Sequence, residues 1–561
     1  MRFFIKSFLA LLCISMLANI HAQNTVGLIS YNQNKAYDGY NLIYQHNQPN
    51  VYLLNNCGEI VHSWKGEPDT RPGNTAYLLD DGRLVKTLRP AMVAGNPIWA
   101  GGGGATVEIR SWDNELEWSF TLNNENARLH HDIAIIEKNG KMTIAMIAWE
   151  KKNLEEVIAA GRDTSVLERD EMWPDYILEV DPETDEIVWE WHAWDHLVQA
   201  FDPSKDNFGV VSENPGRIDV NLDFDGTGDP DWMHSNSLDY DPRWDYLMLS
   251  VPYFSEIWII DHTTSTEQAA GNSGGFSGVG GDLMYRWGNP QIYNQGDSTD
   301  QTLFFQHDAN FIDDFIPGFD PNFGKIAIFN NRIGADFSAG TILNSQFDMY
   351  DWSFPFDGNV FGPEEAEQTF YHPVEPQRMY STGLSGFQYL PNGNYLFTSG
   401  RFGYTFEMTP SNEIVWEYIT PQKGTAPVEQ GDTTLTMNSN LTFRVKRYPS
   451  DYLAFDGRDL SRKGWIELNP DTTYCDQLTS TGFYADHKLD LYPNPANDMI
   501  TVEWEAGRFI SLEVVDASGR RVDYYQRLSG GRKYLDTSGW IPGLYVIRIN
   551  NQLAGKFLVH H

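Results

Sequence analysis

Basic residues are scarce in this 561-residue chain: 40 Lys and Arg face 77 Asp and Glu, a formal net charge of -37. A field of that sign repels polyanions and argues against nucleic acid as a partner. No run of five like charges occurs, so the acidity reads as a solvated surface and not as an interaction tail. Long apolar stretches are missing after the first residues, which argues against a transmembrane segment in the body of the chain. Long helix-like runs are few as well. Cysteine is rarest, with 3 in the whole chain.

One apolar run does occur, at the start. Arg2 and Lys6 precede the stretch Phe8 to Leu17, and a polar segment follows to Ala22. The pattern predicts a secretory signal peptide over residues 1–22, too short to span a bilayer. Leu12 before Cys13 is not the small residue that a lipoprotein site requires. Cys57 and Cys475 then remain in an oxidising compartment. A disulfide between them and a pair of buried free thiols both fit.

Aromatic residues (14%) and 48 glycines are plentiful, which favours many short strands joined by turns. Acid–apolar–apolar–aromatic segments recur at Glu59–Trp64, Glu115–Trp118, Glu186–Trp189, Asp282–Trp287 and Glu413–Trp416, with a degenerate copy at Glu367–Phe370. A second unit, a strand running into a tight turn and then an apolar strand, starts near Asn74, His131, His234, His307 and Ser385. Units of this size cannot bury both faces alone, so they stack radially as a β-propeller. The spacing predicts an all-β fold, a six-bladed β-propeller over 23–476. Its sixth blade would combine Gly464–Leu468 with Val26–Ile29 and Asn41–Leu54, and a Cys57–Cys475 bond would staple that closure. Glu150 to Glu171 reads as an insertion containing a helix, and Thr263 to Gly281 as a Gly/Ser loop.

After Asp476 the pattern stops. Residues 486–561 read as a small β-sandwich. Leu491-Tyr-Pro-Asn-Pro-Ala496 and Gly543-Leu-Tyr-Val-Ile547 closely resemble the C-terminal sorting domain of the type IX secretion system. The resemblance implies recognition by that machinery and export to the cell surface or beyond it.

Repeat alignment puts Asn74, His131, His234, His307 and Ser385 at one structural position, the start of a blade strand. If that strand is innermost, they ring one mouth of the central channel. Arg332 and Arg401 are equivalent to each other in Phe329-Asn-Asn-Arg332 and Thr398-Ser-Gly-Arg401, and Arg89 and Tyr253 fall nearby in other blades. An antiparallel hairpin returns the end of its second strand beside the start of its first, so these side chains should meet the histidines. Imidazole supplies a nucleophile or proton carrier, and guanidinium forks fit a tetrahedral oxyanion. Asp132 and Asp308 should point to the opposite face of their strands from the histidines before them.

Asp231-Trp-Met-His-Ser-Asn-Ser-Leu-Asp-Tyr-Asp-Pro242, Gln306-His-Asp-Ala309 with Ile328-Phe-Asn-Asn-Arg332, and Gly39 through Trp64 resemble bacterial arylsulfate sulfotransferases over roughly residues 36–470. The resemblance implies transfer of a sulfuryl group from a phenolic sulfate donor to a phenol acceptor, without nucleotide sulfate and with no required cofactor, through a sulfated histidine. By position it carries catalytic roles to His234, His307 and Arg332, with His131 beside them, and leaves Arg401, Asn236, Tyr253 and Arg89 to hold substrate. No histidine stands near Thr398–Arg401, where the family's covalent histidine lies. Either His131, His234 or His307 takes that role, transfer is direct, or the activity has changed. Two other readings fit the same ring: a propeller that binds glycans or sulfated ligands, and a metal-dependent hydrolase or lyase. The acidic loop with Asp223, Asp225 and Asp229 is either a calcium site or a solvated turn.

Overall fold

In the computed structural model, residues 24–93, 95–223, 226–472, 475, 489–504, 510–516, 520–528, 531–549 and 552–560 are described. The signal peptide expected over residues 1–22 lies outside them, as does Asp225 of the acidic loop. Two compact units divide the chain, Met1–Pro470 and Asp471–His561.

Among the described residues, the frame of the first unit is six antiparallel sheets, five of four strands and one of five, with two-stranded ribbons beside them. Their innermost strands are β1 (Thr70–Leu78), β2 (Ala127–Lys138), β3 (Ser237–Asp241), β4 (His307–Phe311), β5 (Gly386–Tyr389) and β6 (Thr442–Pro449). Each packs against the next, and β6 returns to β1, so the sheets close radially as a β-propeller. The recurrent aromatic segments are the fourth strands counted from the inside, including Gln368–Phe370, and are outermost in every sheet but the five-stranded one. Their aromatic rings turn inward between sheets, where Trp64, Trp189, Trp287 and Trp416 are buried. Burial of that apolar area is what holds one sheet to its neighbour.

Closure of the ring differs from the sequence expectation. The last sheet pairs β6 with Gly39–Gln45, Val51–Asn55 and Ile60–Trp64. Gly27–Tyr31 joins the sheet of β5 as its fifth strand, while Gly464–Leu468 makes only isolated bridges from Trp465 and Leu468. The sequence hid β6 because Arg444, Lys446 and Arg447 make it read as surface, whereas Arg444 and Arg447 form ion pairs inside the fold. Cys57 and Cys475 are disulfide-bonded. The insertion after Glu150 does carry a helix, Leu154–Ala159, capped by Asn153 and Glu156 acting reciprocally. The Thr263–Gly281 loop holds a one-turn helix, Thr266–Ala269.

The second unit contains a three-stranded and a four-stranded antiparallel sheet sharing one core, with Ile500, Val502, Leu512, Val514, Ile547 and Phe557 buried in it. No helix among the described residues is long and apolar enough to cross a membrane.

Candidate active site

The innermost strands are irregular where the polar residues sit. Pairing jumps between Pro72 and Ala76 in β1, between Ile133 and Leu129 in β2, and between His307 and Asn310 in β4. Positive φ accompanies each jump, at Asn74 (146°), His131 (49°) and Asp308 (53°), and recurs at His234 (57°) and Ser385 (127°). Non-glycine residues rarely adopt these angles, and such bulges re-aim side chains next to functional sites.

The bulges gather the histidines. His131 and His234 meet edge to face with ring centroids 4.7 Å apart, and His234 stacks flat on Tyr253 at 4.6 Å. Phe443 of β6 lies among the imidazoles of His131 (6.2 Å), His307 (6.3 Å) and His46 (6.5 Å). His46 escaped the sequence reading because it follows strand Gly39–Gln45, in the sheet whose innermost strand went unrecognised.

Each imidazole has a different electrostatic setting. Burial opposes charge on His234, but the Asp231 carboxylate, 2.5 Å from Nδ1, raises its pKa above the usual histidine value. Asp231 is held in turn by the Trp149 indole N–H at 2.9 Å. Burial and the neighbouring cationic side of His234 push His131 well below its ordinary value. His307 is driven down to about 3, first by burial and then by His234 and Arg401, against an opposing hydrogen bond to Asn331. Asn331 Oδ1 lies 2.9 Å from His307 Nδ1, while its amide donates to Ser381 O, Leu384 O and Ser385 Oγ. His307 therefore carries its proton on Nδ1 and presents a bare Nε2.

Arg332 lies 3.6 Å over the Phe305 ring and donates from Nε to Thr382 O. Arg401 reaches Asn438 Oδ1 at 3.1 Å, and its Nε is buried without an acceptor among the described residues. A Cβ on Gly383 would stand 3.3 Å from Arg401 Nη2 and 3.7 Å from His307 Cε1, so His307 occupies the ground beside Arg401 where local sequence offers no histidine. Burial and then Arg332 lower the pKa of Arg401, as expected for adjacent guanidinium groups. Arg89 packs over Trp99 at 5.3 Å, and its charge acts on His46. Asn236 stands apart: it is fully buried, and its amide donates to the Gln306 carbonyl at 2.8 Å.

Asp132 and Asp308 join a cluster of their own beside the histidines. Both pair with Arg444 of β6, at 2.7 and 2.9 Å, and Tyr77 O–H donates to Asp132. The cluster ties β1, β2, β4 and β6 together around Phe443. A cavity of about 60 Å³ on the far side of it is lined by Arg444, Asp308 and Lys446 but by no histidine. In the acidic loop, Asp223 lies 4.0 Å from Arg162 and Asp229 accepts from Asp231 N–H. Among the described residues, no three His, Cys, Asp or Glu side chains converge as metal ligands.

Solved structures with some likeness include a protein of unknown function from Bacteroides caccae, 9% identical, covering 73% of this chain and 99% of that one at a TM-score of 0.36. A streptogramin B lyase is 10% identical, covering 77% and 96% at 0.32, and virginiamycin B lyase from Staphylococcus aureus is 11% identical, covering 72% and 90% at 0.29. At these scores the likenesses carry no functional weight. No curated protein matches the sequence. The secretion system C-terminal sorting domain matches residues 490–559, and this tail marks the chain for secretion or attachment at the outer-membrane surface. The arylsulfotransferase (ASST) model matches residues 114–444, more than half of the chain and the span that supplies His131, His234, His307, Arg332 and Arg401. The chain belongs to the arylsulfotransferase family.

Proposed function

We propose that the protein transfers a sulfuryl group from a phenolic sulfate ester to a phenol through a covalent histidine, without nucleotide sulfate. The observation that carries this reading is one ring that gathers three imidazoles, one of them 2.5 Å from the Asp231 carboxylate, and two adjacent guanidinium groups, one with an unpartnered buried N–H. Sulfuryl transfer, like phosphoryl transfer, spreads charge over equatorial oxygens, so positioning and positive donors do most of the work. Arg332 and Arg401 hold those oxygens. His234, positively charged through Asp231, protonates the departing phenolate, and a neutral histidine attacks sulfur. Tyr253 and Phe305, 5.6 Å apart, form the wall against which an aryl ring packs.

The test is purified protein with p-nitrophenyl sulfate, with and without a phenol acceptor and with a chelator. Nitrophenol release that requires acceptor and survives chelation is the expected result. Release without acceptor that chelation abolishes would replace the proposal with a metal-dependent hydrolase. Binding of the ester without turnover would replace it with a non-catalytic propeller.

A further inference from the structure

Next to His131 stands a histidine that the reaction above does not use. His130 and His131 are consecutive in β2, and in a regular strand they would point to opposite faces. The bulge and the positive φ of His131 bring them together, with Nδ1 to Nδ1 at 2.9 Å. His130 is held flat against Trp149 at 4.0 Å, with an interplanar angle of 10°. Its Nε2 lies 3.2 Å from Asp175 Oδ1, off the line of an ideal hydrogen bond. Both atoms are fully buried and neither makes a hydrogen bond among the described residues, so this 3.2 Å approach is the polar contact each has. The second Asp175 oxygen accepts from Ser235 N–H at 2.8 Å, one residue from His234.

We infer that Asp175 and His130 form a positioning relay that makes His131 the nucleophile of the sulfuryl transfer. This rests on the transfer reading above and fixes which histidine serves it. A lone pair on His130 Nε2 would face a carboxylate oxygen, so Nε2 carries the proton and turns it toward Asp175. Neutral His130 then has a bare Nδ1, which accepts a hydrogen bond and so places the His131 proton on Nδ1. The nitrogen left free on His131 is Nε2, with its lone pair available for attack.

The step balances. The His131 Nε2 lone pair forms the N–S bond, and the ester S–O bond breaks with its electron pair on the aryl oxygen. That oxygen takes the proton of the His234 imidazolium and leaves as the phenol. Positive charge gathering on the sulfonated ring is relieved as the Nδ1 proton of His131 moves toward His130, and the Nε2 proton of His130 toward Asp175. With the acceptor, neutral His234 removes the phenol proton, the phenol oxygen forms the new S–O bond, and the N–S pair returns to His131. His307 has no comparable outlet. Its Nδ1 faces the neutral Asn331 and Phe305 carbonyl oxygens, and Arg401 beside it opposes positive charge on that ring.

Full-length protein is mixed with p-nitrophenyl sulfate without acceptor, quenched in alkali, digested and mapped by mass spectrometry for the SO3 adduct. The adduct is expected on His131. Steady-state kinetics on Asp175→Asn follow. The asparagine oxygen can still accept from Ser235, but its amide donates to His130 and inverts both tautomers. The expected loss is about 10²–10⁴-fold in kcat, by analogy with a catalytic histidine given the wrong tautomer, with KM little changed. His130→Asn, which keeps an acceptor at the δ position, should retain far more kcat than His130→Leu. An adduct on His307 or His234 with transfer intact overturns this inference alone, as does wild-type kcat in a folded Asp175→Asn. Absence of acceptor-dependent transfer in the wild type overturns the transfer reading, and this inference with it.

Discussion

At the scale of single residues, protonation separates the roles. Above the pKa of His234 the donor half-reaction loses its acid, so kcat/KM should fall on the alkaline side. Asp231→Asn removes the charge that raises that pKa, so the alkaline limb should move to lower pH in a pH–rate profile. Arg401→Lys keeps a charge but loses the planar fork, and should lower kcat on the order of 10²-fold, as removal of one oriented oxyanion donor does. Stability has its own titration, away from the mouth. Burial disfavours charge on His262, but Asp245 and Glu179 on its two ring nitrogens raise its pKa to about 9. A raised histidine contributes most below its unfolded pKa, and the contribution disappears as pH climbs through the folded value. The stability advantage of wild type over His262→Gln should therefore shrink by roughly 3 kcal/mol between about pH 6 and 9. Denaturant unfolding at a series of pH values measures it.

At the scale of elements, the decisive features are bulges and a glycine segment. Gly102, at φ 79°, packs on the His131 imidazole so closely that a Cβ would lie 2.0 Å from its Cε1 and Nε2. Its carbonyl also accepts from His131 N–H and Asn74 Nδ2. Gly102→Ala should cost roughly 1–3 kcal/mol through backbone strain alone. It should also cut kcat by more than the melting shift accounts for, because His131 must move; calorimetry paired with kinetics separates the two. The histidines at strand starts were legible because their surroundings repeat. The pairing of His130 with His131 was not, since a two-residue period assigns neighbours to opposite faces until a bulge suspends it.

At the scale of the molecule, Arg444 joins sheets from both ends of the chain. Arg444→Ala leaves two buried carboxylates uncompensated, a loss of about 3–5 kcal/mol at neutral pH that should lessen in acid as Asp308, whose pKa burial raises, takes up its proton. Urea unfolding at pH 5 and 7 tests this. Residues 486–561 carry the sorting domain and none of the site residues, so deleting them should abolish export while leaving transfer by the purified propeller unchanged. Sequence alone determined the repeating strand units, the histidine and arginine positions, and the sorting tail, because hydrophobic period and local motif are written in consecutive residues. Tertiary structure alone decided that β6 closes the ring, that His307 stands beside Arg401, and that Asp175 reaches His130. Those contacts join residues tens to hundreds of positions apart, and only closure of the propeller sets their distances.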